Sequence, residues 1–462
     1  MRAVSRRWLV SWGLAAVAFG GASLIVPLYV VELGGDAFTL GILFAASSFV
    51  GVPGALVFGN LADRTGKRRV FVLAAIAVVT VTMAVIPLLE SIPAVIVTYS
   101  LLWLGFAAAL PVLTLLVVAG EPESSWSPLI ARLNEFQGIG WALGLALGFA
   151  ISAIGARYVD TITAQRVFFA TCATSAGIGL LAALRTLPPD PGERDAAGAA
   201  DAAGAGPAGS AAAARGPSRR RLQRFVRRAP ALSIRGASFP FAPARFDPRG
   251  LRPRRFVDRF TPALATYFLA VFLVFTGFGA FFAPLPAYLT AVGYGSSGTF
   301  ALYLALNVAA ALFFRRASGL IDAFGLFRAH VGGLFARGLS FPVVAVLGAA
   351  LGASTLGIGG FTLLFDVIGL TWAVIAVSAA TLVTTLTPDA IRGEALGVYG
   401  ALVAVGGGVG GLLGGGLARF GYPVVFVVAG GTVVLGAAIV AALARRVDAC
   451  RSADPSAALT QP

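Results

Sequence analysis

Apolar runs near or above 18 residues recur from one end of this chain to the other, and no other feature restricts its fold as strongly. Each is long enough to cross a hydrocarbon layer as a helix, which takes roughly 20 residues at 1.5 Å rise. Of the 462 residues, 58% are hydrophobic and 12% charged, against about 45–50% and about 25% in soluble globular proteins, so a single soluble core cannot absorb them. The runs fall at roughly 9–31, 38–60, 70–88, 93–118, 133–154 and 166–185, then 262–286, 298–315, 330–350, 357–383, 394–416 and 421–444. The expected fold is an all-α membrane protein of twelve transmembrane helices in two sets of six.

Between the sets lies a polar stretch of about 75 residues, Thr186 to Phe260, that opens with the low-complexity run "AAGAADAAGAGPAGSAAAARGPS". Such a composition buries too little apolar surface to offset its ordering entropy, so it is expected to be disordered. The implied organisation is a six-helix bundle over 1–185, a basic linker over 186–260, a second six-helix bundle over 261–446 and a tail over 447–462. The N-terminus "MRAVSRRWLV" opens like a signal peptide. Its apolar stretch is too long and lacks a small-residue cleavage site, so it reads as the first span.

Basic residues set the orientation. Arg2, Arg6, Arg7, the Arg64/Lys67/Arg68/Arg69 cluster, Arg132, the linker arginines, Arg315, Arg316, Arg328, Arg392, Arg445 and Arg446 all fall on one side of a twelve-span chain. Only Arg157, Arg166 and Arg419 fall on the other. That bias predicts a multi-pass protein of the cell membrane with both termini and the linker cytoplasmic. The net charge of +15 is accounted for as a topology signal, and no nucleic-acid partner is expected. Arginine does almost all the basic work, a compositional pointer to a GC-rich prokaryotic genome.

Enzyme chemistry finds no foothold. Cys172 lies in the sixth span and Cys450 in the tail, so they should not pair, and one histidine with no ligand spacing gives no metal site. There is no nucleophile elbow, phosphate loop or paired carboxylates on a soluble domain, and no cofactor is expected.

The two halves repeat. Asp322 follows Asp63 by 259 residues, laying "GNLADRTG" on "SGLIDAFG" with Leu61 over Leu320 and Gly66 over Gly325. One loop later Arg392 follows Arg132, and Gly400 follows Gly140, by 260. Two loops at nearly one offset in matching positions indicate a duplicated six-helix unit, hence pseudo-symmetric bundles.

"GNLADRTGKRR" between the second and third spans resembles the signature loop of the major facilitator superfamily, at Gly59, Leu61, Asp63, Arg64, Gly66, Lys67, Arg68 and Arg69. With twelve spans and a degenerate second copy, the resemblance covers the chain apart from the linker and tail. The copy departs at Ser318, Ala323 and Leu326. The family's antiporter signature carries a proline in its fifth helix, where "GIGWALGLALG" has leucine. The resemblance implies a secondary active transporter of a small solute working by alternating access, a proton being the candidate coupling ion. It does not imply drug/proton exchange.

The charged loop then has a physical reading. Asp63 can accept hydrogen bonds from free N–H groups at a neighbouring helix start and sit in its dipole. Pseudo-symmetry pairs Asp63 with the start of the eleventh helix near Gly393 to Ala395, and Asp322 with the start of the fifth near Arg132 to Glu135. Gly59, Asp63, Arg64, Gly66, Arg132, Asp322, Gly325 and Arg392 are thus candidate gating residues. The plainer alternative is a turn with topology-setting charges, which suits Lys67, Arg68 and Arg69.

Two charges lie near mid-membrane: Arg337 about seven residues into the ninth span and Asp366 about nine into the tenth. Such a residue costs at least ~2.5 kcal/mol to insert, so the two are expected to pair, either as a structural tie or as a substrate and proton site. Asn307, Tyr267 and Tyr399 are softer candidates for lining the solute path, with interhelical bonding as their alternative. The linker piece Arg219 to Arg228 reads as a short amphipathic helix on an anionic leaflet, or as a solvated loop. A small-molecule solute and the bilayer are the expected partners, and a monomer the expected unit. The functional alternatives are a channel, a transporter-like scaffold or sensor without flux, and a membrane enzyme; the residues name no substrate.

Overall fold

A computed structural model describes residues 7–65, 67–117, 126–188, 261–388 and 391–453, without the side chains of 52–65, 115, 126–128, 130, 131, 315, 318, 380, 392–394 and 448–453. The described residues form twelve long helices and one short one. The first six are α1 (Arg7–Glu32), α2 (Ala37–Thr65), α3 (Arg68–Val85), α4 (Ile92–Val117), α5 (Trp126–Gly155) and α6 (Thr161–Thr186). The second set runs α7 (Pro262–Phe282), α8 (Leu285–Ala291), α9 (Ser296–Phe324), α10 (Leu326–Leu351), α11 (Thr355–Thr385), α12 (Arg392–Leu417) and α13 (Tyr422–Ala453). Eleven helical stretches are long and apolar enough to cross a membrane, and Ala37–Gly51 of α2 adds a shorter apolar one. The expected twelve-helix fold is the observed one. Most of the expected linker, including Arg219 to Arg228, lies outside the described residues.

Local chemistry places the helix starts. Asp36 Oδ1 accepts from the Thr39 backbone N–H at 2.8 Å and its hydroxyl at 2.7 Å, just ahead of α2. Asp160 does the same for Thr163 at the start of α6, and Thr261 and Ser354 cap α7 and α11. These hydrogen bonds hold the Asp36 and Asp160 carboxyls below the usual carboxylate range. The caps therefore persist at neutral pH and are lost only as acid titrates through the lowered values. Pro284 and Pro286 split the seventh span into α7 and α8, since proline cannot continue the backbone ladder.

Call the side carrying the α2–α3 and α6–α7 connections the linker face, and the opposite side the far face. Each half has its own buried core, one built on α1 to α6 and one on α7 to α13. Ala287 of α8 and Phe300 of α9 join the first core, so the halves are stitched together near the far face. There a Cβ on Gly41 would overlap the Gly411 carbonyl, and one on Gly415 would meet the Ala37 backbone. Only glycine lets α2 and α12 approach this closely. Similarly, Phe300 fills the space beside Gly148 of α5 and packs edge-on to Phe168 at 5.3 Å.

On the linker face the expected gate is only partly described. The α12 start at Arg392 is where the sequence put it, but Asp63, Arg64, Gly59 and Arg392 have no described side chains and Gly66 lies outside the described residues. The expected contact of Asp322 with Arg132 to Glu135 is not made. The fifth helix begins at Trp126, so those N–H groups lie beyond its first turn and are already inside the helix ladder. Asp322 and Arg132 are both exposed. Gly325 has a plain backbone role: φ +85° and ψ 150° at the α9–α10 corner, which side-chain-bearing residues rarely adopt. Arg69 donates from Nη2 to the Leu184 carbonyl at 2.6 Å, tying α3 to the C-terminal end of α6.

Candidate solute site

The α10 helix places its polar groups on one buried stripe: His330, Arg337 and Ser340 alternate with Gly333, Leu334, Phe341 and Val344 at helical spacing. Arg337 is 3% exposed. Its guanidinium carbon stands 4.4 Å from the ring centre of Phe278, 5.4 Å from Trp372, 5.6 Å from Phe282 and 5.9 Å from Phe341. Two rings come from α7 at i, i+4, one from α10 itself at i+4, and one from α11, so four aromatic faces stabilise the cation where water does not.

The cage leaves most of the guanidinium's hydrogen-bonding capacity unused. Nη1 donates to the Ile368 carbonyl at 2.7 Å and reaches Thr371 Oγ1 only at 3.5 Å. Nε is buried without a partner among the described residues. A guanidinium has five N–H donors in a fixed fork and stays charged, so this geometry suits a planar anion.

The expected Arg337–Asp366 pair is not formed. Asp366 has no hydrogen bond or ion pair among the described residues and is only half-buried. The reason is azimuthal: Asp366 precedes Ile368 by two residues, and at 100° per residue the two lie about 160° apart around α11. Arg337 meets the Ile368 side of α11, whereas Asp366 shares its side with the exposed Leu363.

The softer candidates separate into two groups. Asn307 Nδ2 donates to the Tyr303 carbonyl at 2.7 Å, and the Tyr303 ring lies 6.4 Å from Phe282 of the cage. Tyr303 packs against both cores and lies in electrostatic reach of Tyr99 on α4, so this group sits where the halves meet. Opposite, Trp103 and Trp141 stand 6.3 Å apart and half-buried.

Tyr267 and Tyr399 belong instead with His330, which the sequence reading passed over. With neighbours from α7, α10, α11 and α13 they line a void of about 10 Å³, room for one water at most. Ser378 Oγ donates to the Val374 carbonyl at 2.6 Å, so at 2.7 Å it accepts from His330 Nδ1–H. That fixes the tautomer and turns the Nε2 lone pair toward the Tyr267 hydroxyl at 3.4 Å. The site is too small for a solute and ties α7, α10 and α11 together. Replacing His330 by Leu should remove both of its bonds while Ser378 keeps the Val374 carbonyl and Tyr267 the Ala379 carbonyl at 3.4 Å, and should lower the melting temperature in detergent by the equivalent of roughly 0.5–1.5 kcal/mol per bond lost.

The comparisons with known proteins agree with this architecture. A curated relative named for niacin/nicotinamide transport, NiaP of Bacillus subtilis (strain 168), is 25% identical over 162 residues. That alignment spans 35% of this chain and 40% of that protein. Among solved structures, the nucleoside transporter NupG aligns with a TM-score of 0.68 at 15% identity, covering 95% of this chain and 98% of its own. A D-xylose-proton symporter aligns at 0.65 and 15%, covering 95% and 97%. At such identities the structures establish the fold alone. The family model described as Major Facilitator Superfamily matches residues 8–373, and the chain is accordingly a member of that superfamily, a multi-pass membrane transporter and not an enzyme.

Proposed function

We propose that this chain is a secondary active transporter that moves a small organic carboxylate across the cell membrane by alternating access, in prokaryotes and with both termini cytoplasmic. The observation that carries the reading is Arg337, a buried cation held by four aromatic rings and, among the described residues, with no carboxylate partner and an unpaired Nε–H. Such a group supplies charge-assisted bonds to a carboxylate and flat apolar faces to a ring beside it. A heteroaromatic acid such as nicotinate meets both, which accords with the name of the Bacillus relative. The far-face seal around Gly41 and Gly411 is the barrier that opens and closes.

The test is uptake of labelled nicotinate into proteoliposomes holding the purified chain. Unlabelled nicotinate and benzoate should compete, and uncharged nicotinamide, uridine and xylose should not. Competition by the neutral compounds alone would overturn the carboxylate, and absence of uptake of every solute would favour a scaffold or sensor without flux. Coupling is separable in the same vesicles: if an imposed proton gradient accelerates uptake, His330→Gln and Asp366→Asn show which group carries the proton, since neither replacement can cycle one.

The gate at Asp63 belongs to the same proposal. Asp63→Ala should cut flux severely while the melting temperature stays near that of the parent, because a contact of one conformational state is lost and no apolar span is touched. Asp322→Ala should do little, in keeping with an exposed carboxylate that has no hydrogen bond or ion pair among the described residues. Normal flux in Asp63→Ala would leave the loop as a topology signal.

A further inference from the structure

An open, apolar cavity of about 460 Å³ lies between α9, α10 and α11, its inner wall reaching Thr371, which stands 3.5 Å from Arg337 Nη1. Its size falls within the usual range for small-ligand sites, about 300–1,000 Å³. Phe313 and Leu320 of α9 and Val367 and Leu370 of α11 form its walls, Gly332 of α10 leaves it deep, and Arg328 stands at its edge. The cavity exists because α9 lies along α11 and touches α10 only sparsely.

Its orientation follows from the helix turn. Phe300 marks the side of α9 that packs on the other half. Phe313 and Leu320 are 13 and 20 residues further on, which at 100° per residue turns them about 140° and 160° away from Phe300. The α9 wall of the cavity therefore faces away from the other half, on the bilayer side. Its depth along the membrane is also fixed. The apolar stretch of α9 ends at Phe314, so Leu320 and Arg328 lie at the level where hydrocarbon gives way to headgroups on the linker face.

We infer that this cavity is a binding site for an anionic phospholipid of the linker-face leaflet, with one acyl chain between α9 and α11 and the phosphate on Arg328. Arg316 reinforces the choice: it is exposed, four residues before Leu320 and hence on the same side of α9. Among the other charges, Asp322 is turned about 40° from Phe300 and so faces away from the cavity, while Asp366 lies one turn beyond Leu370, at the deep end where only acyl chain would reach. A mouth flanked by two arginines excludes the rival occupant within the chain, the arginine-rich piece 219–229, by like-charge repulsion. It favours a negative headgroup, each basic side chain near an anionic surface contributing about 1 kcal/mol.

The experiment uses the full chain, delipidated in detergent and then offered dioleoyl phosphatidylglycerol or dioleoyl phosphatidylcholine. Bound lipid is counted by native mass spectrometry and melting temperature is followed in parallel. The parent protein should retain phosphatidylglycerol through washes that strip phosphatidylcholine, and its melting temperature should rise with the anionic lipid only. Arg328→Glu, at an exposed position, should weaken phosphatidylglycerol binding at least about fivefold, the equivalent of roughly 1 kcal/mol. Gly332→Leu fills the cavity without a clash, since a Cβ there meets nothing within 4 Å, and should abolish both retention and the melting shift. Equal retention of the two lipids, full retention by Gly332→Leu, or displacement by inorganic phosphate at equal concentration would each overturn the assignment. Loss of retention on deleting 219–229 with Arg328→Glu unaffected would overturn it in favour of the linker.

Discussion

Replacing Arg337 by Leu should abolish uptake and leave the protein as stable as the parent or more so. A lone cation costs at least ~2.5 kcal/mol to hold at mid-membrane, and the cage offsets that cost with ring faces and one firm carbonyl bond. Leucine removes the cost and packs well among Phe278, Phe282, Phe341 and Trp372. A structural ion pair would behave the other way, losing roughly 3–5 kcal/mol when one partner is removed. Arg337→Lys sharpens the test, because lysine keeps the charge but not the planar fork. Its KM should rise about tenfold to a hundredfold, the loss of one charge-assisted hydrogen bond at roughly 1.5–3 kcal/mol. Asp366→Leu should add to Arg337→Leu without rescue, since the two side chains share no contact. Destabilisation by Arg337→Leu that Asp366→Leu repairs would restore the pair and remove the anion site.

The second large effect is expected at the far-face seal. Gly411→Leu places a side chain where Gly41 and Phe44 of α2 already sit, and neither backbone can give way without separating α2 from α12. Uptake should vanish although the protein still inserts and purifies. In a Cys450→Ser background, which removes the tail thiol, a cysteine introduced for Ala37, buried in the parent, should become reactive to a water-soluble maleimide; the remaining native Cys172 is buried. Gly416→Leu is the control, because a Cβ there has open space, and it should transport normally. Equal labelling of Ala37→Cys in both backgrounds would mean that the glycine crossing is not the barrier.

What could be read before the structure was depth, and what could not was azimuth. A run such as Leu326–Leu351 announces its length, its sidedness and the level of Arg337 within it. Hydrophobic periodicity then fails, because in a bilayer the face toward lipid is as apolar as the face toward the bundle. The sequence therefore assigns Asp366 to the level of Arg337, while the structure turns it to the other side of its helix. The cage was hidden for the same reason, although Phe341 at four residues from Arg337 and the Phe278/Phe282 pair at the same spacing were visible signals. His330 was discounted as a lone histidine without metal ligands, yet its partners Ser378 and Tyr267 are a hydroxyl and a phenol that no ligand spacing would flag. Helix ends were missed where helices outlast their apolar runs, as α5 does at Trp126 and α9 at Phe324. Polar residues continue a helix into water without marking the hydropathy profile.

The prolines at 284 and 286 make the seventh span an articulated rod. The inner limb, α7, carries Phe278 and Phe282 of the cage, while the outer limb, α8, sends Ala287 into the opposite half's core and anchors Tyr288 to the Val344 carbonyl of α10 at 3.0 Å. Seven residues make a lever of about 10 Å, so a 20° swing at the elbow moves its tip by about 4 Å. The outer limb nevertheless stays with its own half, since Leu285, Tyr288 and Leu289 lie in the core of α7 to α13, and only a displacement of that size would separate Ala287 from the first core. The rings around Arg337 and the far-face contact with the first core are thereby carried by separate limbs of one span.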